Sequence, residues 1–208
     1  MKHNHKIHCF RALLTLLPTI ALAQPSPEEE LEELYGGEEF VRIATGVAQP
    51  VTKAPAVASI ITADDIRKMG VTDIDEALET VPGLHVARTA LGYNPSYVFR
   101  GMYSDVNPQV LVLVNGVPLT NLYAGDRSQG WGGMPVEAIS RIEVVRGPGS
   151  AVYGADAFAG VINIVTKTPE ELEGLSMGGR AGSFDTQTGW LQYGGSRGEL
   201  RYGAVVEA

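Results

Sequence analysis

Cysteine is all but missing from this chain of 208 residues: the single one, Cys9, lies among the first ten. A disulfide framework is thereby excluded, and so is a cysteine-built zinc site. Histidine is nearly as scarce, since His3, His5 and His8 share that N-terminal stretch and only His85 lies in the body of the chain. A histidine-rich metal centre and a conventional Ser-His-Asp triad therefore lack material, and no metal site is expected. Positive charge is also short, with 16 Lys and Arg against 24 Asp and Glu and a net charge of −8. Nucleic acid needs a basic face, so that partner is not expected either. Gly147-Pro148-Gly149-Ser150 has the glycines of a phosphate loop but not its Gly-Lys-Ser/Thr ending. Pro148 also removes an N–H that a phosphate cradle would use. Neither a cofactor nor an enzymatic activity is read from these residues.

Long apolar runs are missing too. Ala12 to Leu22 is the most apolar stretch, and it falls well short of the roughly 20 residues of a spanning helix. Lys2, Lys6 and Arg11 precede or open it, and Ala21-Leu22-Ala23 closes it. A basic start, a short apolar run and a small-x-small ending make a secretory signal peptide over residues 1–23, with cleavage expected after Ala23. Cleavage would carry away Cys9 and three cations, taking the net charge from −8 to −11. The mature protein is expected to be exported and free of thiols.

What is abundant is glycine, 25 residues of it, in a chain only 19% charged and 44% hydrophobic. That balance suits β-rich structure with tight turns better than a helical bundle. Residues 24–55 read as a flexible leader, because the acidic run in QPSPEEELEELYGG repels itself and stays solvated. Within it Glu38 to Thr45 (EEFVRIAT) has strand propensity. A lone strand satisfies none of its backbone groups along its edges, so it needs a partner, either in its own domain or elsewhere.

The compact part is expected over 56–168. Val57 to Ile61 reads as a strand, Thr62 caps a helix closed by Gly70, and Thr72 or Asp73 caps a second over Ile74 to Thr80. Strands follow at Leu84 to Ala87, Ser96 to Arg100 and Val110 to Val114, with Asn115-Gly116 turning the last into Val117 to Thr120. A polar, glycine-rich loop spans Asn121 to Gly133, and a short helical turn at Pro135 to Ile139 leads on. Next comes RIEVVRGPGSAVYGADAFAGVINIVTK, from Arg141 to Lys167: two apolar strands around a knot of small residues. Over 169–208 the texture changes to longer segments, Leu175 to Gly182, Thr186 to Gly194 and Glu199 to Ala208. Turns are expected at Ser183 to Asp185 and Gly195 to Gly198. In the last segment Leu200, Tyr202, Ala204 and Val206 alternate with Arg201, Gly203, Val205 and Glu207. Such alternation with short turns fits a membrane β-barrel or an ordinary β-meander.

Five motifs in this order resemble the plug domain of TonB-dependent outer-membrane receptors. They are Ser59 to Ile66 (SIITADDI), Ala77 to Gly83 (ALETVPG), Phe99-Arg100-Gly101, Val110 to Val117 (VLVLVNGV) and the stretch from Ile142 to Lys167. The resemblance implies an α+β plug with a small mixed β-sheet and short helices, followed by the first antiparallel strands of a transmembrane β-barrel, here truncated. It implies that the full-length receptor takes up a scarce solute of the iron-siderophore, haem or cobalamin type. By the same resemblance Glu38, Glu39, Phe40, Val41, Arg42, Ile43, Ala44 and Thr45 form the TonB box, which adds as a strand to TonB of the inner-membrane energising complex. Arg100 and Arg146 match plug arginines that pair with glutamates of the receptor's own barrel. Tyr93, Tyr103 and Trp131 fall in loops that face outward in the family and are candidates for solute contact. The leader leaves no room for the periplasmic signalling domain that some relatives carry. The alternative is a soluble periplasmic ligand-binding or protein-interaction module whose last strands complete its own sheet. The outward faces of those strands discriminate, since a barrel wall needs apolar ones. Met177, Trp190 and Tyr202 lean towards a wall, with Arg201 and Glu207 then facing the lumen.

Overall fold

The structure, a computed structural model, describes residues 40–41, 49–50, 57–89, 94–104, 107–119, 134–183 and 185–208. The signal peptide, most of the leader, Tyr93 and Trp131 lie outside the described residues. Two short strands, β1 (Phe40–Val41) and β2 (Gln49–Pro50), pair antiparallel, with Phe40 opposite Pro50 and Val41 opposite Gln49.

The domain proper starts with β3 (Val57–Thr62), which runs directly into helix α1 (Ala63–Met69). Thr62 caps α1 through a reciprocal box: the Asp65 N–H donates to Thr62 Oγ1 at 3.2 Å, and the Thr62 N–H donates to Asp65 Oδ2 at 2.9 Å. Gly70 ends the helix in the left-handed region, φ 69°. Helix α2 (Ile74–Leu78) is capped by Asp73, whose Oδ1 accepts from the Asp75 N–H at 2.7 Å. Thr72 instead donates its N–H to Glu76. The helix stops two residues short of the expected Thr80, whose hydroxyl bonds back to the Ala77 carbonyl at 2.7 Å.

Strands β4 (Leu84–Arg88) and β5 (Pro95–Phe99) form a separate antiparallel hairpin. The main sheet contains β6 (Val110–Val114), β7 (Val117–Pro118), β8 (Ile139–Arg146) and β9 (Gly160–Thr166), in the order β3-β8-β9-β6-β7. It is mixed, since β6 and β9 run parallel and the other neighbours antiparallel. Asn115 and Gly116 both take positive φ, 51° and 77°, as the two-residue turn between β6 and β7 requires.

Alternation along the central strands buries both faces. Val110, Val112, Ile142, Val144, Ile162 and Ile164 meet the two helices and the β4–β5 hairpin on one side. On the other, Leu111, Leu113, Val145 and Val161 pack under Ala157 and Tyr153. Those last two residues belong to the small-residue knot, which folds as helix α3 (Ser150–Tyr153) and a 3₁₀ turn (Ala155–Ala157). The knot is small because the sheet leaves it no depth. A Cβ on Gly149 would come within 2.6 Å of Val161 Cγ2; on the opposite face, one on Gly160 of β9 would come within 2.8 Å of the Phe99 ring.

The chain ends in a three-stranded antiparallel meander, β10 (Gly174–Ala181), β11 (Gln187–Arg197) and β12 (Leu200–Glu207). The turn expected over Gly195 to Gly198 is shorter than its composition suggests. Gly195 and Ser196 stay in the ladder, opposite Tyr202 and Arg201, and only Gly198 and Glu199 turn. Gly198 supplies the positive φ, 65°, at the first loop position. No barrel closes among the described residues.

Candidate functional site

Four of the five motifs meet at the end of β8. Arg146, its last residue, lies on the face turned towards the helices and donates from Nη1 to the Pro82 carbonyl at 2.7 Å and from Nη2 to Ser59 Oγ at 3.3 Å. Its Nε is buried without a hydrogen-bond partner. Arg100 leaves β5 with φ 50°, a conformation uncommon for a residue with a Cβ. The Arg100 N–H donates to the Gly83 carbonyl at 2.9 Å, which anchors that conformation. The Arg100 Nη2 reaches the Arg146 carbonyl at 3.4 Å. Residues 64 positions apart in sequence, Pro82 and Arg146, thus build one cationic mouth. Among the described residues neither arginine meets a carboxylate. Two cationic side chains held at one mouth by neutral acceptors alone suit an anionic partner.

Two buried carboxylates escaped the sequence reading. Glu143, in the middle of β8, is fully buried. It accepts from Arg141 Nε at 2.9 Å and from Asn163 Nδ2 at 3.4 Å, while Asn163 Oδ1 takes the Gly116 N–H at 3.0 Å. This network ties β8, β9 and the β6–β7 turn together. In the sequence Glu143 stands inside an apolar strand, with its partner Asn163 20 residues away. The second is Asp75, which accepts from the Tyr97 hydroxyl at 3.0 Å and meets Arg88 Nη1 at 2.8 Å. Burial pushes the Asp75 carboxyl up from its ordinary range, with Asp73 adding to the rise, and outweighs the opposing hydrogen bond from Tyr97 and the charge of Arg88. Burial also holds the Tyr97 hydroxyl well above its usual value.

A raised carboxyl has a definite sign in folding. The folded domain holds the Asp75 proton more tightly than the unfolded chain does. This site therefore favours folding below the unfolded value, near pH 4, and that advantage is lost as pH rises towards the raised folded value. The slope for one proton is bounded by about 1.4 kcal/mol per pH unit. Asp75→Asn keeps an acceptor for Tyr97 and should remove the slope. Hydrogen-exchange protection of α2 and the β4–β5 hairpin, followed against pH, checks this. An unchanged slope in the variant would assign the pH dependence elsewhere.

The meander has two unlike faces. Register places Leu175, Met177, Leu191, Tyr193, Leu200, Tyr202 and Val206 on one of them. They are exposed, Met177 at 66% and Val206 at 62%. Tyr193 and Tyr202 sit with ring centroids 5.8 Å apart near the β11–β12 turn. The opposite face carries Ser176, Arg180, Gln192, Arg201 and Glu207 and turns towards the α+β domain. Met177 and Tyr202 lie on the apolar face and Arg201 and Glu207 on the other, as a wall requires. Trp190 does not follow Met177. It lies on the inner face, over Gly178, where a Cβ would come within 2.5 Å of its ring. Strand parity decides this, because Trp190 is one residue out of step with Leu191 and Tyr193. Across the join, Lys167 Nζ donates to Gln192 Oε1 at 3.4 Å, and Arg180 Nη1 reaches the Val71 carbonyl at 3.4 Å and Glu137 Oε1 at 3.5 Å.

A mixed sheet with a cationic mouth, joined to a meander that is apolar outside and polar inside, matches one family. The family model described as TonB-dependent Receptor Plug Domain covers residues 50–161. The chain belongs to this family. In the plug of this protein all five motifs lie wholly or largely within that match. The chain is 34% identical over 171 residues to the vitamin B12 transporter BtuB of Vibrio vulnificus, which covers 82% of this chain and 27% of the relative. It is 36% identical over 177 residues to the ferric enterobactin receptor PirA of Pseudomonas aeruginosa, covering 76% of this chain and 23% of the relative. Among solved structures, the ferripyoverdine receptor of the P. aeruginosa outer membrane shares the fold, with a TM-score of 0.67 at 22% identity over 81% of this chain and 22% of that one. The chain thus spans about a quarter of the length of the curated relatives it matches. Family membership places it at the outer membrane. The relatives named here are transporters and receptors.

The other residues singled out in the sequence fare differently. Phe40 and Val41 lie in β1, paired with β2. Glu38, Glu39, Arg42, Ile43, Ala44 and Thr45 lie outside the described residues, as do Tyr93 and Trp131. Tyr103 is 53% exposed, beyond β5 and close in sequence to the mouth. His85 is a surface residue of β4, 2.9 Å from Glu79.

Proposed function

We propose that the full-length protein is a TonB-dependent receptor that takes up a scarce solute of the metal-chelate class across the outer membrane and is not an enzyme. The observation that carries this reading is the two-faced meander. Its outer face offers exposed Leu, Met, Val and Tyr to lipid, and its inner face holds the plug by polar contacts. A soluble module would bury or replace that apolar face, so the wall reading is the better one. In the completed receptor Arg100 and Arg146 pair with carboxylates of the wall. The segment Glu38 to Thr45 lends its backbone to a strand of TonB. Tyr93, Tyr103 and Trp131 contact solute from the outward loops. The names of the relatives, for vitamin B12 and ferric enterobactin, support a bulky chelate as cargo without choosing between them. Energy coupling is the test. In cells carrying the full-length receptor, collapse of the inner-membrane proton gradient should stop accumulation of a labelled chelate and leave its surface binding in place. Accumulation that continues at an undiminished rate would reduce the protein to a passive pore.

A further inference from the structure

Arg180 joins the plug and the wall in a way the arginine mouth does not. It is an inner-face residue of β10, one position before the strand ends. On the plug side it reaches two separate elements. One is the Val71 carbonyl at 3.4 Å, just beyond the Gly70 cap of α1; the other is Glu137 at 3.5 Å, in the 3₁₀ turn (Val136–Ala138) that leads into β8. On the wall side Nη2 stands 3.2 Å from Glu207 Oε2, two strands away on β12. All three side chains are largely covered, with exposures of 24%, 20% and 19% for Arg180, Glu137 and Glu207. The geometry of the three is not saturated. Arg180 Nε and Nη2 and Glu207 Oε2 are buried without a hydrogen bond, although the last two lie within ion-pair distance.

A buried ion pair with one partner on each body is costly to separate, because each charge is left alone in a poorly solvated place. A cation shared between two acids behaves differently. If the plug shoulder moves away, Arg180 loses Glu137 and Val71 but keeps Glu207 on its own wall. The poor alignment with Glu207 leaves room for that contact to improve once the plug has gone. We propose that Arg180 is a releasable latch, which holds the Val71 and Glu137 shoulder of the plug and is handed to Glu207 when the shoulder departs. The latch grips the start of β8, whereas Arg146 ends it, so the plug is held at both ends of one central strand. This rests on the reading of the meander as the wall around the plug.

The test uses the full-length receptor with a thiol placed in the cleft, as Ser176→Cys, and follows its labelling by a water-soluble maleimide. Ser176 lines the cleft beside Arg180 and Glu137. Glu137→Gln and Arg180→Met should each speed labelling about fivefold, the scale of a partly screened ion pair. Together they should act no more strongly than Arg180→Met alone, because the share of Glu137 in the latch is its contact with Arg180. Glu207→Gln should act in the opposite direction and slow labelling below the parent, since release would then strand Arg180 unpaired. That change of sign is what a merely structural contact would not produce. Faster labelling in Glu207→Gln, additive effects of Glu137→Gln and Arg180→Met, or no change in any of them overturns the latch. Arg146→Ala in the same background separates the two ideas. If it loosens the plug while the Arg180 series is silent, only the latch fails; if it is silent too, the seating of the plug in a wall is itself wrong.

Discussion

Val41→Pro in the full-length receptor should reduce energised uptake to background while leaving solute binding at the cell surface intact. A segment that works by adding a strand to TonB depends on its backbone N–H and C=O groups more than on any side chain. Proline removes the N–H and fixes φ near −65°, so one substitution breaks the ladder at that point. Phe40 and Val41 already behave as strand residues, opposite Pro50 and Gln49. Because that local pair would also be disturbed, Ile43→Pro is the necessary companion, lying beyond it in sequence. Both prolines should have the same effect, and Val41→Ala, which keeps the ladder, should be mild. Surface binding and uptake are measured side by side with a labelled chelate. Normal uptake in a proline variant, or surface binding lost in equal measure, would remove energy coupling from this segment. Loss of uptake in Val41→Pro alone would point to the pairing with Gln49 instead.

Arg146→Ala is expected to unseat the plug. The substitution deletes the donors to the Pro82 carbonyl and Ser59 Oγ, which join the end of β8 to the turn after α2 and to β3. In the completed receptor it would also strand a wall carboxylate. Removing one partner of a buried pair costs about 3–5 kcal/mol, so the effect should exceed that of any exposed ion pair in the plug. Arg146→Lys should recover only part of it, because an ammonium has charge but no planar fork to serve two acceptors and a carboxylate together. The readouts are protease resistance of the plug and leakage of a large antibiotic through the barrel. If both stay at parental values, Arg146 is a local brace and not a lock.

Much of the plug was legible along the chain. Thr62 and then Gly70 bounded α1 because capping is local chemistry, decided within four residues. Asn115-Gly116 placed the β6–β7 turn for a similar reason, as both positions need positive φ. Less local features were harder to read. The end of α2 moved because the Thr80 hydroxyl found the Ala77 carbonyl. The β11–β12 turn shrank because cross-strand pairing kept Gly195 and Ser196 in the ladder. Trp190 was grouped with Met177 and Tyr202 by its apolar character, whereas strand parity turned it inward.

The sequence by itself determined the export signal as an expectation, the strand and helix content, the plug resemblance and the identity of the arginines at the mouth. The elements rest on composition, on periods of two and three to four, and on caps and turns, all short-range properties, whereas the plug and its arginines were read from the resemblance of five motifs to a known family. Only the tertiary structure decided what those residues touch. It brought Arg146 to Pro82 and Arg100 to the Arg146 carbonyl, buried Glu143 between Arg141 and Asn163, and raised the pKa of the Asp75 carboxyl by burying it. It also set Arg180 between the plug and the meander, 109 residues from Val71 in the chain. Polar side chains in strands carry no periodic signal of their partners, since pairing register and burial are collective properties of the packed sheet.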